Sequence, residues 1–296
     1  MKISIITTIT NPDENQYPWR EAIKSYLALA DEVIVVNGGK EISRLTDMIN
    51  NPHEYDIFEK KLKEIKLPWP NKWHWSELPI HLNAGLEQAI GDWVIKCDID
   101  YVFHENDIKD IRFALENNAK QYSIASFVKK IIIDRNSYFK KCRIPVAIHK
   151  SQVGDSIKFG IDPNLKSDWC MPILVKGEKR FIASGTSDYI VPTGQIVPPG
   201  MVYDTGLNIY NYDCFFRTKE VQKREFWRFA QAYASAFDES WGSSEEEAFS
   251  FWTKMMKSRL SKQLYPMDIE SHPEFIKEKI KNMKPEEFGF NNWKGE

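Results

Sequence analysis

The chain has 296 residues, 42% of them hydrophobic and 28% charged, with a formal net charge of −2. That is enough chain for one large domain or a domain with an appended lobe. The near-zero balance excludes a general electrostatic pull toward nucleic acid or an anionic membrane, although a local basic patch stays open. Four cysteines (Cys97, Cys142, Cys170 and Cys214) form no C-x-x-C pair, which speaks against structural zinc and for reduced thiols in the cytoplasm. "KISIITTIT" at the amino terminus is too short and polar for a signal peptide or spanning helix, and no other segment approaches membrane-spanning length. A soluble cytoplasmic protein is expected.

In chain order, residues 2–9 read as a buried β-branched strand, closed by the turn-like "NPDEN". Residues 19–30 place Ala22, Ile23, Tyr26, Leu27 and Ala30 at helical spacing, and "DEVIVVNGG" follows as a second strand with a Gly-Gly turn. Strand, helix and strand in about thirty-five residues make a βαβ unit with a right-handed crossover. Residues 52–66 predict a helix, with Pro52 near its start and Ile57, Phe58, Leu62 and Ile65 as its apolar face. "LPWPNKWHWSELP" then interrupts regular structure. A helix over 81–90 and a strand over 93–98 come next, followed by a helix around 105–117 and the long strand "YSIASFVKKIIID". Residues 140–210 read as irregular, with short strand-like pieces and a candidate mobile loop in "VPTGQIVPPG". From about 217 the chain turns helical, and "SSEEEAFSFW" has capping-box character, with Ser243 or Ser244 reaching Glu246 or Glu247.

The strand in "GDWVIKCDIDYVF" ends in two carboxylates one residue apart. If extended geometry persists, Asp98 and Asp100 project from the same side, at the sheet edge where open α/β folds bind ligands. Two such charges repel unless a cation or proton lies between them. Magnesium and manganese take oxygen ligands and complete their shell with phosphate and water, so the pair fits a metal-bound diphosphate. The plainer alternative is that one carboxylate caps the next helix and the other faces water.

The run "LNAGLEQAIGDWVIKCDIDYV" resembles the core of family-two glycosyltransferases of the GT-A fold, through Asn83, Gly85, Gly91, Asp92, Trp93, Asp98 and Asp100. "ISIITTIT" and "EVIVVNGG" resemble that family's nucleotide-binding half, and "LNIYNYDCFFRTKEVQKREFW" its late strand and basic helix. The resemblance spans about residues 2–230 and is strongest over 81–103. It implies an α/β, Rossmann-like GT-A fold with a mostly parallel central sheet flanked by helices. It divides the chain into a catalytic domain at 1–216 and a helical extension at 217–296. Within the domain, residues 1–103 form the nucleotide-sugar half and 104–216 the acceptor side.

The function implied is transfer of a hexosyl or pentosyl group from a nucleotide-sugar, a UDP- or other NDP-sugar, to an acceptor hydroxyl, with inversion and with Mn2+ or Mg2+. By the resemblance, Thr7 and Thr8 lie near base and ribose, Asn83 opens a helix at the nucleotide-sugar site, and His81 lies near the diphosphate; a solvent-facing helix-end histidine is the alternative for His81. Asp98 contacts ribose or a metal-bound water, while Asp98, Asp100 and Asn211 form the metal set. Asn37 stands where the family carries a base-reading aspartate; a strand-end turn residue is the alternative. Among Asp162, Asp168, Asp188 and Asp204, the interval before Asn211 that the resemblance implies favours Asp188 as the catalytic base; an ordinary turn aspartate is the alternative.

Two departures from the family stand out. Lys96 shares a strand face with Asp98 and either pairs with it, weakening the metal site, or reaches water along its own stem. Asn211 replaces a histidine and is a weaker ligand. The cluster Trp69, Trp73, His74 and Trp75 forms either an aromatic platform or a seal over the core. Arg217, Lys219, Lys223 and Arg224 form a basic patch beyond the late strand. The tryptophan-rich C-terminal helices are a core or homo-oligomer surface. Acceptors compatible with the sequence are a glycan, a lipid-linked sugar or, against the charge balance, a hydroxylated nucleic-acid base. Two other classes stay open. A sugar-phosphate nucleotidyltransferase would need a Gly-rich basic loop after strand one, where "TTITNPDENQ" has no glycine. A non-catalytic nucleotide- or carbohydrate-binding protein would explain Asn37, Lys96 and Asn211.

Overall fold

Strand β1 (Ile3–Ile9) is buried along nearly its whole length, as a continuous β-branched run covered on both faces requires. It pairs in parallel with β2 (Glu32–Asn37) on one side and β4 (Trp93–Lys96) on the other. The computed structural model describes residues 1–39, 60–70, 77–119, 121–122, 124–153, 157–159, 172–175, 178–181, 190–192, 202–237, 240–260, 264–284 and 289. Helix α1 (Trp19–Leu29) begins after Pro18 and buries Trp19, Ala22, Ile23, Tyr26 and Leu27 on one face. Its terminal carbonyls are met by cations. Lys61 Nζ donates to Leu27 O at 3.2 Å and Ala30 O at 3.0 Å, and Arg112 Nη1 to Leu29 O at 2.7 Å. This satisfies the orphan acceptors and places positive charge at the negative end of the helix.

A nine-stranded sheet runs in the order β3-β2-β1-β4-β7-β6-β12-β5, with β13 (Tyr265–Pro266) added on β7. Its first half, β3 (Leu62–Lys66) through β4, is parallel. Beyond β4, β7 (Ser137–His149) is antiparallel to both β4 and β6 (Ile124–Asp134). Strand β12 (Val202–Asn211) runs parallel to β6, and β5 (Tyr101–Val102) antiparallel to β12. Two small ribbons lie apart: β8 (Ile157–Phe159) with β11 (Ile190–Pro192), and β9 (Pro172–Val175) with β10 (Glu178–Phe181).

Helix α2 (Glu77–Gln88) packs on one face of the sheet, where Leu82 and Leu86 meet Ile6, Ile34 and Val94. Close approach explains two motif glycines. A Cβ on Gly85 would lie 2.5 Å from Ile6 Cγ2, and one on Gly91 would lie 2.5 Å from Ser4 N. On the other face, α1 and α3 (Ile108–Asn118) cover the sheet together with α6 (Glu274–Lys281). Ile276 and Ile280 of α6 are fully buried in the same cluster as Ile3 and Ile5. Burying each stabilises by about 1.5–3 kcal/mol, a large share of a typical net stability of about 5–15 kcal/mol. Between them in sequence, α4 (Lys219–Phe237) and α5 (Glu245–Leu260) build an aromatic cluster around Tyr233, Trp241 and Trp252. The expected capping box forms: Ser244 Oγ accepts from Glu247 N at 3.2 Å, and Glu247 Oε2 accepts from Ser243 N at 2.7 Å.

Three expectations need correction. Residues 62–66 of the predicted 52–66 helix form β3, because the outer edge of β2 takes them as a parallel partner from Val33↔Leu62 to Asn37↔Lys66. Lys63 Nζ then pairs with buried Glu32 at 2.6 Å. Ser4 Oγ and Ile90 N also donate to Glu32, and burial notwithstanding, these contacts hold its carboxyl below the ordinary value. Residues 51–59 lie outside the described residues. The stretch from 140, read as irregular, opens with the long strand β7, which fills the gap between β4 and β6. Its long pairing with β6 accommodates a sequence carrying Lys140, Lys141 and Pro145, while Ala147–His149 pair with β4 on the other side. The helix expected over 81–90 begins earlier, at Glu77. No helix among the described residues is long and apolar enough to cross a membrane.

Candidate active site

Strand β4 ends at Lys96, and Cys97 N makes a last bond to Ile6 O at 2.9 Å. The backbone then turns, with Tyr101 N donating to Asp98 O at 2.9 Å. Asp98 and Asp100 therefore flank a turn and are not on extended backbone as expected; the antiparallel pairing of β5 with β12 draws the chain away. Asp98 stays 40% exposed, whereas Asp100 is 5% exposed. Tyr26 of α1 fixes the turn by donating its hydroxyl to Asp98 O at 2.5 Å.

Lys96, only 2% exposed, pairs its Nζ with Asp98 Oδ1 at 2.6 Å. Of the two options for this lysine, pairing with Asp98 is the one realised. Asp100 is bridged to β12: Asn211 Nδ2 donates to its Oδ1 at 3.2 Å, and Tyr212 N to its carbonyl at 3.0 Å. Burial pushes the Asp100 carboxyl well up, and the charges of Asp213 and Asp98 push it further; Arg217 and Lys129 pull it back. Both cations are buried. Arg217 Nη1 reaches Asp213 Oδ1 at 3.1 Å and its guanidinium lies 4.3 Å over the Tyr17 ring. Lys129 Nζ donates to Tyr101 Oη at 2.6 Å. Asp213, Lys129 and Tyr26 were missed in the sequence. Nothing in the local pattern around them pointed to a role at this turn.

The remaining expected residues divide. Thr7 is fully buried, and its Oγ1 has no partner among the described residues. Thr8 is half-buried. Asn37 is committed: its Oδ1 accepts from Gly39 N at 2.9 Å and its Nδ2 donates to Glu64 Oε1 at 2.9 Å. It thus acts as the turn residue, the alternative given above. His81 is withdrawn from any diphosphate. It is 1% exposed, and its ring nitrogens face Glu77 O at 2.8 Å and Leu67 O at 2.6 Å, with Trp69 stacked on it at 3.5 Å. Asn83 is half-buried in the middle of α2, not at its start, because the helix begins earlier.

Trp69 also donates its indole N–H to Thr10 Oγ1 and lies against Gly38, where a Cβ would sit 2.0 Å from Nε1. It thereby covers the edge where β1 and β2 end. Trp73, His74 and Trp75 lie outside the described residues, as do Asp162, Asp168 and the expected base Asp188. Asp204 is exposed at a bulge in β12, held by Ser126 Oγ and Gly206 N, both at 3.4 Å. It lies roughly 20 Å up the strand from Asn211, at the wrong end for chemistry beside Asp98.

Residues 18–164 match the family model for glycosyl transferase family 2. That stretch holds α1, β2, α2, β4 and the Asp98–Asp100 turn. The chain is a family-two-like glycosyltransferase. Its parallel β3-β2-β1-β4 half and helix-covered faces give this family-two-like chain the GT-A type of α/β fold. Among solved structures it is similar to S. aureus TarS 1-349, with TM-score 0.42 and 15% identity over 89% of this chain and 73% of that one. Against the longer S. aureus TarS structure the values are 0.43 and 14%, over 89% of this chain and 44% of that one. Against TarS 1-349 in complex with UDP-GlcNAc they are 0.42 and 15%, over 89% and 74%. No curated protein matches the sequence.

The side chains around the turn do not fit a resident divalent cation. Asp98 already neutralises a buried ammonium, which would repel a second cation beside it. Asn211 turns its N–H toward Asp100, the wrong polarity for a ligand. Among the described residues, no three His, Cys, Asp or Glu side chains converge to hold a metal ion. The expected Mn2+ or Mg2+ set of Asp98, Asp100 and Asn211 does not fit these side chains as they are paired here.

Proposed function

We propose that the protein transfers a sugar from a nucleotide-sugar donor to an acceptor hydroxyl, with inversion at the anomeric carbon. One observation supports this above the others: a half-exposed carboxylate, Asp98, stands beside a buried one, Asp100, where β4 ends within the family-two segment. In an α/β sheet this edge receives the ligand.

In this reading, the outer oxygen of Asp98 accepts hydrogen bonds from donor hydroxyls, and Tyr26 and Lys96 fix its orientation. The acceptor oxygen forms its bond to the anomeric carbon as the bond to the diphosphate oxygen breaks. The bonding pair leaves with the diphosphate, and the acceptor proton passes to a carboxylate. Asp188 is the base that the family spacing favours; Asp213, half-exposed at the rim, is the other carboxylate to test. The buried thiols of Cys97 and Cys214 suit a reducing cytoplasm.

A thermal-shift screen of nucleoside diphosphates and nucleotide-sugars tests the reading, since a ligand that binds only the folded state raises its melting point. One nucleotide series is expected to raise Tm, with the corresponding nucleotide-sugar slowly hydrolysed and Asp98→Asn abolishing both effects. A screen without any shift or donor turnover refutes the proposal. Binding without turnover over any acceptor panel replaces it with the binding-protein alternative.

A further inference from the structure

The corner around Asp100 contains three carboxylates and three cations. Asp100 feels the charges of Asp98 and Asp213, and Lys96 pairs with Asp98, Arg217 with Asp213, while Lys129 and Arg217 act on Asp100. Each cation is almost wholly buried: 2% exposed for Lys96, 8% for Lys129 and 4% for Arg217. Burying an ammonium or guanidinium is costly unless opposite charge accompanies it. Three such burials around one turn therefore mark a built arrangement, not chance surface pairs. The corner therefore carries its own counter-charge in its side chains before any ion arrives.

We propose that this corner supplies its own counter-charge, so that donor binding at the Asp98–Asp100 turn proceeds without a divalent cation, and that Lys96 is the positioning residue that decides this. The inference rests on the glycosyltransferase reading for its donor, and it concerns the same site. Lys96 lies behind Asp98 at 2.6 Å, on the side away from solvent, and does not itself touch substrate. It fixes which oxygen of Asp98 faces outward and removes the negative charge that would recruit an ion. Arg217, whose Nε is buried with no partner among the described residues, presents positive charge near the same turn. Like-charge repulsion in a poorly solvated corner opposes adding a dication beside Lys96. Removing the ammonium while keeping the stem's bulk, as in Lys96→Met, leaves Asp98 with uncompensated charge and reopens the site to metal.

The experiment titrates Mn2+ into the full chain and follows the free-ion electron paramagnetic resonance signal, with and without UDP. UDP affinity is measured in parallel in chelator and in Mn2+. The wild type is expected to leave the Mn2+ signal undiminished, and its UDP affinity to be the same in both conditions within about twofold. Lys96→Met is expected to take up Mn2+ and to gain about tenfold or more in UDP affinity when Mn2+ is present. A merely structural lysine would give no such gain. The proposal is overturned if the wild type binds Mn2+ and loses it on Asp100→Asn, or if wild-type UDP affinity rises about tenfold with Mn2+. Should Lys96→Met fail to fold, the wild-type titrations decide by themselves. If UDP does not bind under any condition, the Mn2+ titration still decides the counter-charge, while the donor reading is judged by the wider nucleotide screen.

Discussion

Tyr212 donates its hydroxyl to Nδ1 of His272 at 2.8 Å, and both side chains are fully buried. His272 Nε2 in turn donates to Arg135 O at 3.1 Å, which fixes the tautomer. Since Tyr212 N also bonds Asp100 O, this pair ties the segment before α6 to the acidic turn. Tyr212→Phe leaves a buried acceptor unsatisfied and is expected to cost about 1–3 kcal/mol of stability. Denaturant unfolding reads this directly; an unchanged midpoint would mean the pair is not under load.

The same histidine gives a pH dependence. Burial, the largest cause, lowers the His272 pKa; the Arg135 carbonyl, Asp268 and Asp134 oppose this, and Lys277 adds to it. The unfolded chain therefore binds this proton first as pH falls. Stability is complete above the ordinary histidine value of about 6.5 and declines below it until the folded value is passed. His149, also lowered by burial, acts in the same direction. Tm should drop from pH 7 to pH 5.5, and His272→Gln should flatten that limb.

Asp100 carries the opposite sign. Its raised pKa means that the folded state disfavours the carboxylate, so stability is lost as pH rises from the ordinary aspartate value toward the folded one. Asp100→Asn removes this burden while keeping the shape. At pH 7.5 the variant is expected to melt at or above the wild-type temperature, with turnover down by about a hundredfold or more. A clear loss of Tm would show that the ionised form is structurally required.

Gly85→Ala tests how closely α2 lies on β1. Helix propensity favours alanine by about 1 kcal/mol, but its Cβ would be 2.5 Å from Ile6 Cγ2. Overpacking of that kind costs about 1–3 kcal/mol, so a net loss in Tm is expected. Ile6→Ala removes Cγ2, so the two substitutions together should cost less than the sum of their separate losses; a Gly85→Ala variant more stable than wild type would contradict the packing.

Strands β1, β2 and β4 were legible because continuous apolar runs have few other uses in a chain this size. β3 was not. In "LKEIK", Leu62 and Ile65 sit three apart, which suits a helix, and only the vacant edge of β2 makes the segment a strand. β7 was hidden for the same reason, since its lysines and Pro145 are tolerated by the long antiparallel pairing with β6. The acidic pair at Asp98 and Asp100 could be read locally, as could its tension with Lys96. Asp213 and Lys129 could not. They reach the turn through the Asn211↔Tyr101 register, a contact between segments more than a hundred residues apart.

Ile276 and Ile280 share a cluster with Ile3 and Ile5, so the earliest and latest parts of the chain are sealed together. During synthesis the first strands must wait, incompletely covered, until α6 has left the ribosome. Nascent chains arrested before residue 274 should accordingly remain open to protease and attractive to chaperones, whereas released chains should close at once.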